Sequence, residues 1–204
     1  TTQTYSFAIH RGRLCVGTWP SGKVFRMAPN GWEDCGRLGE DLEVMGMAVY
    51  NGKLYAGTLP SARVYRYDGG SDWTSTGQLD ATPDVKYRRA WSMAVYRGML
   101  FCGTLPSGHV HSLTAGRCVT YDRELEAGWQ HIAAIRRRRE LCLFLNGKEV
   151  ASEKPGGAPT DVTNSEPLRI GFGEHDYFRG AMKDVRIYAR ALAEAEVAHL
   201  AGIA

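Results

Sequence analysis

The fold is decided by residues 47–67, MAVYNGKLYAGTLPSARVYRY, because this stretch occurs three times in the chain. The other copies are residues 7–27, FAIHRGRLCVGTWPSGKVFRM, and residues 93–113, MAVYRGMLFCGTLPSGHVHSL. Eight of the 21 aligned positions are identical in all three copies, and successive copies start 40 and 46 residues apart. A repeat of this length predicts a series of equivalent structural units.

Each copy has the pattern of short antiparallel strands joined by tight turns. In the second copy an apolar run ends at Asn51-Gly52, a dipeptide that favours a two-residue hairpin turn between strands. A second strand follows, then a Pro60-Ser61 loop, a third strand over 64–67, and a fourth strand over 73–79. The sequence therefore predicts about four strands per repeat, with repeats at about 5–40, 45–80 and 91–116.

This pattern resembles the blades of kelch-type and related β-propellers. The likeness lies in the Gly turn, the Leu-x-x-Gly-Thr strand, and the later Trp and Gly-x-Leu, although kelch blades usually carry Gly-Gly where this chain has Gly-Thr. Propellers have four to eight blades, so three cannot close a ring alone. The resemblance implies open sheet faces, which we expect to form a homo-oligomer contact; alternatively, the repeats fold against the C-terminal half of the chain.

A different pattern begins near Trp129. It consists of Trp-x-His-Ile-Ala, then Leu-x-Leu-Phe-Leu-Asn-Gly-Lys-x-Val-Ala, Pro-Leu-x-Ile-Gly, and Tyr-Phe-x-Gly-x-x-x-Asp-Val-Arg-Ile-Tyr-x-Arg-Ala-Leu. This order resembles the later strands of the laminin-G-like, concanavalin A-like jelly roll. It predicts strands over 129–135, 141–145, 148–151, 167–171 and 181–188, then a short helix over 192–200. The resemblance also implies that Tyr177 and Phe178 belong to the core.

The expected fold is therefore all-β, with antiparallel propeller-like repeats, a jelly-roll β-sandwich and one short C-terminal helix. We expect residues 1–116 to hold the repeats and 117–204 to hold a portion of the sandwich. Because the earlier sandwich strands are not recognisable, the segment 91–116 belongs either to a third repeat or to the sandwich.

The jelly-roll resemblance implies a binding module for a glycan or a protein, and it favours an extracellular or cell-surface location. Many such modules hold calcium, which binds clustered oxygen ligands. The candidates lie in two acidic loops, and the alternative is that these carboxylates are simply solvated. The predicted calcium ligands are Asp161, Asn164, Glu174 and Asp176.

Two further features are candidates for ligand binding. The run Arg136, Arg137, Arg138 and Arg139 could hold an anionic ligand such as a sulfated or sialylated glycan, or could keep a hairpin tip soluble. Trp19 replaces a leucine of the other two repeats beside Pro-Ser, which makes it a candidate stacking platform for a sugar. The repeated Thr and Ser hydroxyls could line a polar rim, or could satisfy nearby backbone groups.

Composition and motifs narrow the function further. A net charge of +3 does not argue for a nucleic-acid partner, and no apolar run reaches the roughly 20 residues that a membrane-spanning helix needs. The five cysteines lack metal-site spacing and are expected to be free thiols in the core, with a disulfide framework as the alternative. No nucleophile, zinc-hydrolase or phosphate-loop motif is present, so we expect no catalytic activity.

The leading interpretation is non-catalytic binding to a carbohydrate or to a surface or extracellular protein. One alternative is a self-assembling structural segment of a larger protein. Another is an accessory part of a glycan-degrading enzyme. A glycan site predicts an exposed aromatic ring near polar groups, whereas self-assembly predicts a large apolar interface along the repeats.

Overall fold

The structure is a computed structural model that describes residues 1–154, 161–165 and 167–202. Within these residues it contains four antiparallel sheets and one helix, which confirms the all-β class. Residues 155–160, which include Pro155, Gly156, Gly157 and Pro159, lie outside the described residues, as does Glu166.

The first two repeats each form a four-stranded meander. Sheet 1 has the order β1-β2-β3-β4 and sheet 2 the order β5-β6-β7-β8, so the predicted four strands are confirmed in both. The strands of sheet 1 are Gln3–His10, Arg13–Trp19, Lys23–Ala28 and Gly31–Arg37, and those of sheet 2 are Glu43–Tyr50, Lys53–Leu59, Arg63–Gly69 and Asp72–Gln78.

The third repeat forms a three-stranded sheet 3, in the order β11-β10-β9. Its strands are Arg89–Tyr96 (β9), Met99–Leu105 (β10) and Val110–Leu113 (β11). The repeat sequence breaks down after Thr114, where a fourth strand would follow, and among the described residues no further strand joins this sheet.

The C-terminal region forms sheet 4, in the order β12-β13-β14, and a helix. The elements are Ile132–Arg137 (β12), Glu140–Leu145 (β13), Lys148–Glu153 (β14) and Glu194–Leu200 (α1). Leu192 before the helix and Val197 within it pack with Ile135, Cys142 and Phe144 of the sheet. The predicted short helix is thereby confirmed, and it begins at Glu194.

Two predicted strands are not formed. Residues 167–171 and 181–188 lack strand pairing, and Val185 and Ile187 are 54% and 72% exposed. Alternation produces a strand only where a neighbouring strand accepts the backbone hydrogen bonds and one face is covered. The predicted burial of Tyr177 and Phe178 is also wrong, since they are 66% and 53% exposed.

The chain divides into two compact units. The first contains residues 1–95, 99–115 and 169–179, and the second contains 96–98, 116–168 and 180–204. In the first unit the segment 169–179 covers a repeat turn: the amides of Arg11 and Gly12 donate to the carbonyls of Glu174 and His175 at 2.8 and 2.9 Å. The Arg11 guanidinium also donates to the Glu174 carboxylate at 2.9 Å.

All five cysteines are free thiols, and Cys15 and Cys102 are buried as expected. Burial raises the pKa of both thiols to about 11. At neutral pH they are therefore protonated and act as small apolar core residues. No helix in the described part of the chain is long and apolar enough to cross a membrane.

Candidate functional site

The arginine run lies at the tip of the β12–β13 hairpin in the second unit. The strand register pairs Arg136 with Leu141 and Arg137 with Glu140, so Arg138 and Arg139 form the turn. Arg138 has the left-handed backbone (φ 57°) that such a two-residue turn requires. Arg136, Arg138 and Arg139 are exposed, which places three guanidinium groups at one end of the hairpin.

Arg137 differs from the other three because it is half-buried and held by internal contacts. Its guanidinium lies 3.9 Å from the Glu140 carboxylate and donates to the carbonyl of Leu192 at 3.4 Å. Together with residues 191–194 it lines a shallow cavity beside the start of α1. Arg137 therefore fixes the base of the hairpin, while its neighbours face solvent.

The Glu140 carboxylate is shared with a second cation. Lys154 Nζ lies 3.1 Å from it, and this hydrogen bond raises the pKa of Lys154. Glu140 thus neutralises charge at the base of the hairpin, on the side of Arg137. The exposed turn keeps its positive character.

Trp129 is an exposed aromatic residue that the sequence interpretation did not include among the ligand-binding residues. It is 62% exposed, and Lys183 Nζ lies 4.7 Å from its ring centroid in a cation–π contact. Trp129 lies before β12, whereas the sequence pattern predicted a strand that begins at Trp129. The signal that could have identified it was a tryptophan beside polar residues before an alternating strand.

Trp19, the predicted stacking residue of the first unit, is only partly exposed. Its carbonyl accepts a hydrogen bond from the Thr2 amide at 2.9 Å, and its peptide bond to Pro20 is cis. Leu59-Pro60 and Leu105-Pro106 have the same geometry. Its role in binding stays a prediction.

The repeated Thr hydroxyls lie against the backbone of their own loops. Thr18 and Thr58 are buried; Thr18 Oγ1 donates to the Lys23 carbonyl at 2.8 Å, and Thr58 Oγ1 lies 3.1 Å from the Arg63 carbonyl. Thr104 makes the same contact with the carbonyl of His109 at 3.1 Å. Each hydroxyl closes the Pro-Ser loop of its own repeat.

The predicted calcium ligands are engaged with protein groups. Asp161 accepts from the Thr163 amide at 2.8 Å, which lowers the pKa of Asp161. Glu174 pairs with Arg11, and Asp176 accepts from the Tyr177 amide at 2.8 Å.

These four residues also fall into different units. Asp161 and Asn164 belong to the second, and Glu174 and Asp176 to the first. In residues 1–154, 161–165 and 167–202 no group of three or more His, Cys, Asp or Glu side chains is arranged to hold a metal ion. Calcium binding by these residues stays a prediction.

One family model matches part of the chain. Residues 104–198, just under half of the chain, match the laminin G family model described as the Concanavalin A-like lectin/glucanases superfamily. No curated protein matches the chain. The matched segment contains the arginine hairpin, Trp129 and most of α1.

A solved structure is also similar over most of its length. It is the crystal structure of an S-layer domain-containing protein from Clostridium thermocellum ATCC 27405, with 18% sequence identity, 89% of this chain and 93% of that chain covered, and a TM-score of 0.26. A TM-score this low carries no conclusion about fold or function. The comparisons therefore show a similarity of residues 104–198 to the concanavalin A-like superfamily model.

Proposed function

We propose that this chain is a non-catalytic binding module whose second unit binds an anionic carbohydrate through the arginine hairpin. The observation that carries the proposal is the placement of Arg136, Arg138 and Arg139 at the exposed end of β12 and β13. A surface or extracellular setting fits such a ligand and is part of the proposal.

Guanidinium groups suit this ligand class for a geometric reason. Each is planar and presents paired N–H donors that match the oxygens of a sulfate or carboxylate. Because Arg137 is held by Glu140 and Leu192, the hairpin presents its other arginines from a fixed base. Less conformational entropy is then lost when the ligand binds.

The similarity of residues 104–198 to a superfamily named for lectins and glucanases supports a carbohydrate over an acidic protein. Trp129 adds a ring face on the same unit, but it lies before the other end of β12. A six-residue strand spans about 20 Å. Trp129 and the arginine tip therefore act as separate subsites, and a long polysaccharide chain would be needed to reach both.

The proposal is tested by retention of the intact chain on immobilised dextran sulfate and on neutral dextran. We expect retention on the sulfated matrix alone, and its loss in the variant Arg138→Ser/Arg139→Ser. Arg123→Ser/Arg186→Ser, at exposed positions of the same unit outside the hairpin sequence, removes the same charge, is the matched control and should be retained. Equal retention of the hairpin variant and the wild type would overturn the assignment.

Two further measurements distinguish this function from calcium-dependent binding and from glucan hydrolysis. Retention in the presence of a calcium chelator should be unchanged, because the arginines act without a metal. Incubation with glucans should release no reducing ends, whereas release above the level of a boiled sample would contradict the non-catalytic part of the proposal.

A further inference from the structure

The three repeat sheets of the first unit have two chemically distinct faces. Face A of sheet 2 carries Met47, Val49, Leu54, Ala56, Tyr65, Tyr67 and Trp73, which the strand register places side by side. Face B of each sheet is the opposite side, and in sheet 1 it carries Ala8, Cys15, Gly17 and Val24. The repeat alignment assigns every corresponding residue of the other sheets to face A or face B.

Face B of sheet 1 packs on face A of sheet 2. The main core cluster contains Cys15 and Val24 from the first of these faces and Val49 and Tyr65 from the second. The sheets approach so closely that a Cβ atom built on Gly17 would lie 2.7 Å from Val44 Cγ1. Trp73 Nε1 also donates to the carbonyl of Cys35 at 2.7 Å.

Face B of sheet 2 meets sheet 3 at the equivalent positions. A Cβ atom on Gly57, which aligns with Gly17, would collide with the carbonyl of Ala90, which aligns with Val44. Val64 is 4% exposed there, much as its counterpart Val24 is 0% exposed in sheet 1. The chain therefore makes the same face B to face A contact twice in succession.

Face A of sheet 1 has four exposed apolar residues whose counterparts in sheet 2 are packed, while Val16 in its second strand is 5% exposed. Phe7, Ile9 and Met27 align with Met47, Val49 and Tyr67, and Trp32 pairs with Met27 as Trp73 pairs with Tyr67. Phe7, Ile9, Met27 and Trp32 are 58%, 43%, 48% and 51% exposed. Large contiguous apolar surfaces of this kind mark interaction sites.

Face B of sheet 3 is also exposed, although face B of each of the other two sheets contacts a neighbouring sheet. Val110, the counterpart of buried Val24 and Val64, is 73% exposed, and Ala94, the counterpart of Ala8 and Ala48, is also exposed. For a Cβ atom on Gly103 the nearest described atom is Ser92 Oγ at 3.6 Å, which is ordinary contact. The small side chains that receive a neighbouring sheet elsewhere in the unit are thus present and uncovered.

We infer that face B of sheet 3 in one copy of this chain packs on face A of sheet 1 in a second copy. The occupant is argued from the chain itself, which already joins these two kinds of face twice. Two copies joined in this way contribute six sheets, within the four to eight blades of closed propellers. A head-to-tail contact that closes on itself after two copies gives a finite dimer with two equal interfaces.

The inference is tested by light scattering on the intact chain and on two surface variants. The wild type should have the mass of two chains of 22.5 kDa. Phe7→Lys alters face A of sheet 1, and Ala94→Glu alters face B of sheet 3. Each variant alone disturbs both interfaces, so each should show the one-chain mass and a dissociation constant raised at least about tenfold.

An equimolar mixture of the two variants distinguishes this geometry from any other dimer. One interface in the mixed dimer is wild type and the other pairs the introduced lysine with the introduced glutamate, so the two-chain mass should return. Leu125→Lys, another exposed apolar position, is the control and should stay dimeric. Matching circular dichroism spectra establish that all variants are folded.

Several outcomes would overturn the inference. The first is that the wild type has the one-chain mass at every concentration at which it is soluble. The second is that both variants keep the two-chain mass. The third is that the mixture of the variants keeps the one-chain mass. Masses that grow steadily with concentration would contradict the closed ring. The variants lie in the first unit and leave the arginine hairpin intact. Failure of the dimer inference therefore leaves retention on dextran sulfate unchanged, and loss of retention leaves the dimer inference unchanged.

Discussion

Asp41 holds Ser61 through two hydrogen bonds: its carboxylate accepts from the serine hydroxyl at 2.6 Å and from the serine amide at 3.0 Å. The same carboxylate accepts from Thr58 Oγ1 at 2.7 Å. Asp41 is 4% exposed and lies in the connection between sheets 1 and 2. It therefore fastens the start of one repeat to the Pro-Ser loop of that repeat.

Replacing this carboxylate should weaken the first unit. Asp41→Ala leaves the Ser61 amide and hydroxyl without their acceptor, which costs about 1–3 kcal/mol in the free energy of unfolding. Asp41→Asn retains one acceptor oxygen and should cost less. Urea unfolding of both variants provides the measurement, with the exposed Asp72→Asn as control. An Asp41→Ala midpoint equal to that of wild type would show that the contact contributes nothing.

The close approach of sheets 2 and 3 predicts that alanine has different effects on stability at two glycines that occupy the same position of the repeat. Gly57→Ala places a methyl group against Ala90, so the free energy of unfolding should fall by about 1–3 kcal/mol. Gly103→Ala meets only Ser92 Oγ at 3.6 Å and should change it by less than about 0.5 kcal/mol. Neither glycine has a positive φ, so backbone strain does not confuse the comparison.

The comparison is best made by thermal unfolding of dilute protein, where the monomer dominates and Gly103 does not contact a second copy. Equal destabilisation by both substitutions would contradict the stacking of sheet 2 on sheet 3. It would indicate instead that the glycine matters within its own strand.

His10 should make the first unit sensitive to mild acid. His10 is buried, and burial is the main cause that lowers its pKa below the usual 6.5. The nearby Arg11 lowers the pKa further, whereas Glu174 raises it. The unfolded chain therefore binds the proton more readily than the folded chain does. Stability should be constant above about pH 7 and decline as pH falls below 6.5.

The substitution His10→Tyr isolates this effect, because the other two repeats carry Tyr50 and Tyr96 at the same position. We expect the variant to lose part of the decline in unfolding temperature between pH 7 and pH 5. His199→Gln, at an exposed position of α1, should leave the decline unchanged. An identical pH profile for His10→Tyr and wild type would rule out His10 as its source.

Glu196 should control the start of the helix in the second unit. Its carboxylate accepts from the Ala193 amide at 2.7 Å and pairs with Arg190 at 2.6 Å, and Arg190 is the main cause that lowers its pKa from 4.5 to about 2. The stabilisation is present above pH 4.5 and is lost as pH falls towards 2.

Hydrogen exchange at the Val197 amide, which donates to the Ala193 carbonyl at 3.1 Å, reports on this contact. Glu196→Gln should speed exchange at neutral pH relative to wild type, with the difference shrinking below pH 4.5. Glu194→Gln, in the same turn, is the control. Unchanged exchange in Glu196→Gln would mean that the helix is held by the burial of Val197 alone.

The repeats could be predicted from sequence because the information is local. Asn51-Gly52 and the alternation on either side of it define a hairpin whichever tertiary contacts follow. The faces of sheets 1 and 2 also follow from that alternation. What the pattern could not supply was the partner of each face, since Val24 and Val110 are equivalent in sequence and opposite in exposure.

The site was less predictable because its determinants are distant in the chain. The arginine run indicated a hairpin tip, but the contact of Arg137 with the Leu192 carbonyl joins positions 55 residues apart. The alternation at Val185 and Ile187 predicted a strand, yet alternation says nothing about whether a pairing strand is present. The pairing of Glu174 with Arg11, 163 residues apart in the chain, could not be predicted from the composition of the acidic loops.

The central claim is that the arginine hairpin binds an anionic carbohydrate, and its most direct test is the dissociation constant for soluble dextran sulfate at low and at physiological salt. For the wild type we expect binding that weakens steeply as salt rises, because exposed charge pairs are screened. Arg138→Ser/Arg139→Ser should bind at least about tenfold more weakly at low salt. Wild-type binding that does not depend on salt, or an unchanged constant in the variant, would contradict the claim.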